Sequence, residues 1–186
     1  MTVCRRTVLA VLMLLPVPVL AQDAGLWGYG CDHYLHGACI RLPNGMAVGH
    51  QVPADFDLHT LTSNGREVLT IYEGDAPQRP SSSAVPDIAL EIAGHRLRGY
   101  KTVGGDSVTY DVYVDSVRPG DMVLHMRGVT HDADQQKDLA AALGGFRVCN
   151  FKKSQHHDTL VCPRRGPWGA QLGGWVVAEQ SQTPLK

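Results

Sequence analysis

The stretch Asp57-Leu58-His59-Thr60-Leu61-Thr62-Ser63-Asn64-Gly65-Arg66-Glu67-Val68-Leu69-Thr70-Ile71-Tyr72 is a β-hairpin in its pattern of residues. Two runs rich in apolar and β-branched side chains, 57–62 and 67–72, are separated by Ser63-Asn64-Gly65-Arg66. Asn and Gly tolerate the positive φ that a tight hairpin turn demands, so Asn-Gly between such runs is a strong local signal. The same pair recurs at Asn44-Gly45, after Pro43, between strand-like runs at 39–42 and 46–51. With 20 Gly and 11 Pro in 186 residues, the chain favours many turns and short strands over long helices.

Working outward, Glu73 to Ser83 reads as a polar loop, and further strands are expected at 88–92, 95–102, 107–115 and 122–127. In the third of these, Val108, Tyr110, Val112 and Val114 fall on one face and Thr109, Asp111 and Tyr113 on the other, the period of two of a half-buried strand. One helix is predicted: Asp132 caps it with Gln135 three residues on, Leu139, Ala142 and Leu143 form its apolar stripe, and Gly144-Gly145 stops it. A hairpin over 146–162, a loop at 163–169 and a last strand near 175–178 complete the chain. The expected class is α+β: a mostly antiparallel twisted sheet with one main covering helix and a disulfide-stapled C-terminal hairpin.

Arg5-Arg6 followed by the apolar run 8–15, with Val19-Leu20-Ala21 behind it, has the form of a secretion signal, so residues 1–21 are read as a signal peptide and 22–186 as a single α+β domain. Removing Arg5 and Arg6 leaves 15 basic residues against 18 acidic ones. Cys31, Cys39, Cys149 and Cys162 remain, an even number in a chain bound for an oxidising compartment, periplasmic or secreted. If the turn of the last hairpin centres between Gln155 and His156, Cys149 and Cys162 are directly opposed and can be bridged. Cys31 and Cys39 then form the second bridge. A zinc site on these cysteines is the competing reading, weakened because neither pair has a two-residue spacing.

A net charge of −1 argues against a binder held by nucleic-acid phosphates. Gly105-Asp106-Ser107 reads as a turn, since no Gly-x-Ser-x-Gly elbow surrounds Ser107. Arg118-Pro119-Gly120-Asp121 before a strand is like the turn of peptide-binding PDZ modules, but lacks their carboxylate loop. The nine histidines, including His33, His36, His156 and His157, show no carboxylate or third histidine at ligand spacing, so no catalytic, metal or cofactor residue is assigned. No phosphate-cradling or dinucleotide glycine motif is present.

The order of the 45–51 strand, Pro53-Ala54-Asp55-Phe56-Asp57, Ile71-Tyr72-Glu73-Gly74-Asp75-Ala76-Pro77, Met122-Val123-Leu124-His125, the helix and Gly145-Phe146-Arg147 resembles small exported bacterial proteins with an IYxGxxP element. Those in turn resemble Mog1/PsbP-like folds. The resemblance implies a non-enzymatic binding role, such as an inhibitor or immunity protein that occludes a secreted toxin or a cell-wall-acting enzyme, with no stable membrane insertion after signal removal. Contact residues are expected in irregular polar-aromatic segments: His33, Tyr34, His156, His157, Arg165 and Trp168. The alternative is a small periplasmic enzyme or metal-binding protein with a site assembled from dispersed His and Asp. A concave site with two or more convergent His, Asp or Glu is the feature that distinguishes it.

Overall fold

The computed structural model describes residues 31–35, 37–53, 55–92, 94–115, 122–153, 158–162 and 166–178. The expected signal segment, 1–21, lies outside them, as do His36, His156, His157 and Arg165. In chain order the elements are β1 (His33–Leu35), β2 (Ala38–Ile40), β3 (Met46–Gln51), β4 (Asp57–Ser63), β5 (Arg66–Gly74), β6 (Ile88–Ile92) and β7 (His95–Gly104). Then come β8 (Ser107–Asp115), β9 (Val123–Thr130), α1 (Ala133–Gly144), β10 (Phe146–Val148), β11 (Asn150–Lys153), β12 (Asp158–Val161) and α2 (Pro167–Val177).

Seven strands form one antiparallel sheet in the order β3-β4-β5-β9-β8-β7-β6. The β4–β5 hairpin turns at Asn64 (φ 52°) and Gly65 (φ 76°), the two positive values that the residue pair predicts. Asn44-Gly45 behaves differently. Gly45 does adopt a positive φ of 81°, but β2 does not pair with β3. The chain leaves β2 for another sheet, because β2 lies between β1 and β10 in a separate three-stranded sheet.

Paired residues share a face, so the register identifies the core side of the large sheet: Leu61, Leu69, Ile71, Met126, Val112, Val114 and Leu97 are all buried there. Leu35, Ile40 and Phe146 from the small sheet enter the same core, as do Leu139, Ala142 and Leu143 of α1. The α1 cap is the predicted one, with Asp132 accepting from the Gln135 amide at 2.8 Å.

The segment expected to be a loop and a final strand is a second helix, α2. Pro167 stands at its first turn, where a missing N–H costs nothing. Its small residues allow α1 to approach closely: a Cβ on Gly173 would lie 2.8 Å from the Ala140 carbonyl oxygen. The Gln136 amide ties the layers together by donating to the Tyr110 hydroxyl at 3.2 Å and to the Val176 carbonyl. Trp168, Leu172 and Val176 bury the inner face of α2. No helix among the described residues is long and apolar enough to cross a membrane.

Both expected disulfides are present, Cys31–Cys39 and Cys149–Cys162. The β11–β12 hairpin runs from Asn150 opposite Val161 to Lys153 opposite Asp158, the register on which the second pairing was argued. The cysteines form one buried cluster, with sulfurs of Cys31, Cys39 and Cys162 within 4.8 Å of one another. Such bridges belong to an oxidising, extracytoplasmic environment.

Candidate functional site

On strand β1, alternation turns His33 and Leu35 inward and Tyr34 outward. His33 meets a polar corner of the large sheet formed by β3, β4 and β5. The β3–β4 register sets His50 opposite His59, and the β4–β5 register sets Asp57 opposite Glu73. Since Asp57 and His59 are two apart on one strand, all four side chains belong to the core-facing side, where His33 reaches them from the small sheet.

The contacts form a chain. His33 Nε2 lies 2.9 Å from His59 Nδ1, and His59 Nε2 lies 3.0 Å from the Glu73 carboxylate. His50 stacks on His59 with centroids 4.5 Å apart, and its Nε2 is 2.6 Å from Asp57 Oδ1. The inner pair is dry and the outer pair wet: the His59 and Glu73 side chains are each 4% exposed, those of His50 and Asp57 45% and 34%. Burial, followed by the neighbouring imidazoles of His59 and His50, holds His33 below its ordinary pKa of 6.5, which favours a neutral ring with a lone pair.

Glu73 was hidden in the sequence because it reads there as the start of a loop. Instead β5 runs on to Gly74 and buries it. A β-bulge completes the arrangement: Leu61 pairs with Leu69 but Thr62 with Glu67, making Val68 the extra residue. Without that residue the hairpin register would set Asp57 opposite Tyr72, and Glu73 would face the other side of the sheet.

On the other face, a second polar group fastens the loop that follows β5. The Tyr113 hydroxyl donates to the Gln78 carbonyl at 2.5 Å, and Arg79 and Arg98 both pair with Asp115. His125 stacks on Tyr113 with centroids 4.3 Å apart and bonds Asp111 at 2.8 Å. Burial first, then the Asp111 charge, push the Tyr113 hydroxyl up to about 12. A shallow cavity of about 340 Å³ lined by Arg66, Thr70, Arg127 and His131 offers little to an anion. Arg66, Arg127 and His131 in its lining face Asp138, Asp111 and Asp106 respectively.

Of the expected contact residues, His33 belongs to the histidine chain and Tyr34 is exposed, at 41%. Trp168 is a correction: it is 1% exposed, its ring packed in the core at the first turn of α2 and edge-on to His95, and it offers no contact surface. The structure brings together His33, His50, Asp57, His59 and Glu73, four of which were not singled out in the sequence as a group. No family model, curated protein or solved structure matches this chain.

Proposed function

We propose that the protein is an exported, non-catalytic binding protein of the periplasm or the secreted fraction. Its partner is a macromolecule outside the cytoplasm, a secreted toxin or a cell-wall-acting enzyme that it inhibits or to which it confers immunity. The observation that carries this reading is Tyr34, an exposed tyrosine held outward on a strand whose loop is closed by the Cys31–Cys39 bridge. A rigid aromatic side chain of this kind gives contact area at low entropic cost, and tyrosine is among the residues that dominate binding energy. The export signal and the resemblance to small exported bacterial proteins support the same reading.

The test is capture. The chain, purified with its disulfides formed, is used to recover partners from the envelope fraction and from toxins encoded beside its gene. The expected result is a protein partner whose affinity falls about 30-fold or more with Tyr34→Ala, the loss of a true hot spot. Failure to capture any protein, or capture indifferent to Tyr34→Ala, refutes the proposal.

A further inference from the structure

Beyond partner binding, we infer that the corner formed by His33, His50, Asp57 and His59 is a site for a divalent transition-metal ion of the zinc and copper class. Three imidazoles and one carboxylate are the donor set such ions prefer, whereas calcium and magnesium take oxygen ligands. One ligand atom each of His50, Asp57 and His59 lies within 4.8 Å of the others, and His33 Nε2 is 2.9 Å from His59 Nδ1. Donors about 2.0–2.1 Å from a tetrahedral ion stand roughly 3.3 Å apart, so the His33–His59 and His50–Asp57 pairs, at 2.9 and 2.6 Å, need to spread by about 0.4 and 0.7 Å.

Glu73 supplies the orienting contact. With its carboxylate accepting at 3.0 Å, His59 carries its proton on Nε2 and turns the Nδ1 lone pair toward His33. In the metal-free chain His33 Nε2–H donates to that lone pair. On binding, His33 moves its proton to Nδ1 and presents Nε2 to the ion, and the proton shared by His50 Nε2 and Asp57 Oδ1 moves to His50 Nδ1 or is released to solvent. The carboxylates of Asp57 and Glu73 offset the dication. The half-exposed His50 and Asp57 leave a route by which the ion enters.

The chain, purified without a polyhistidine tag, with disulfides formed and after chelator treatment, is titrated with Zn²⁺ by calorimetry and with Co²⁺ by its visible absorption. The expected result is one saturable ion per chain with a tetrahedral Co²⁺ spectrum. His50→Ala and Asp57→Asn, at half-exposed positions that leave the fold intact by circular dichroism, abolish the spectrum. Glu73→Gln weakens affinity about 10- to 100-fold, the usual effect of losing an orienting partner. His131→Ala and a His156→Ala/His157→Ala double variant leave binding unchanged. Absence of saturable binding by the folded wild type, binding that survives His50→Ala and Asp57→Asn together, or binding lost in the His156/His157 variant overturns the assignment.

Discussion

Gly173 and Gly174 are neighbours on α2, yet alanine at Gly174 is expected to stabilise the fold and alanine at Gly173 is not. Both lie within the helix, so both substitutions reduce the freedom of the unfolded chain and gain helix propensity, about 0.5–1 kcal/mol. At Gly174 a new Cβ meets nothing within 4 Å, and the gain is realised in full. At Gly173 it would sit 2.8 Å from the Ala140 carbonyl oxygen and 3.6 Å from the Gly144 Cα, both on α1. Neither atom is the end of a flexible side chain, so α1 and α2 must part by about half an ångström, and a gap of that size forfeits a quarter or more of each affected contact. Overpacking of this kind costs about 1–3 kcal/mol, which exceeds or cancels the propensity gain. Because that gain is common to both variants, the difference between them isolates the helix–helix contact, at about 1–3 kcal/mol. Urea denaturation of the two variants and the wild type measures it, and for a chain of this size each kcal/mol also appears as about 2–4 °C in Tm. Equal stability of the two variants within about 0.5 kcal/mol refutes the close approach of α1 and α2.

Replacing Cys149 and Cys162 together by Ala removes a cross-link spanning 13 residues and is expected to cost about 3 kcal/mol by the chain-entropy account, read from denaturant midpoints. Trp168→Ala is expected to cost about 3–5 kcal/mol of stability through the cavity it leaves, measured by the same melts, while partner affinity of the folded variant stays unchanged. In an alkaline titration followed by tyrosinate absorbance, Tyr113 is expected to ionise near 12, and Tyr113→Phe removes that step from the curve. Since that hydroxyl is raised above its unfolded value, its contribution to stability is complete below about pH 10 and is lost as the pH climbs towards 12.

The parts of the fold that were legible in the sequence are those written locally. Asn64-Gly65 announced its turn, Asp132 and Gln135 marked the start of α1, and the symmetry of the last hairpin identified the partner of Cys149. Where long-range packing overrides local pattern, legibility failed. The residues 167–177 carry two tryptophans, glycines and valines with little helical periodicity, and they become a helix because α1 offers a surface that small residues can approach. Trp168 looked like a recognition residue because 163–169 reads as an irregular loop and tryptophan often dominates binding energy, whereas the helix turns it into the core. The histidine corner was illegible for a different reason. Its members come from four strands, and the Val68 bulge that aligns Asp57 with Glu73 is a property of the pairing, not of any single segment. The partner of His33 stands 26 residues away, beyond the reach of any local spacing.

The placement of the disulfides has a consequence for the order in which the molecule assembles. Each bridge closes a short loop, of 8 and 13 residues in separation, so each can be made by a segment that has found only its own neighbours. The closure that joins the two ends of the domain is different: β2 pairs with β10, Ile40 opposite Phe146, with more than a hundred residues of chain between them and no covalent tie. Oxidation therefore shortens the search for local structure and leaves untouched the slowest, most non-local step. During that step two sulfur pairs that end side by side are still apart, and a reducing or shuffling environment acts on the chain before its cysteines are buried together.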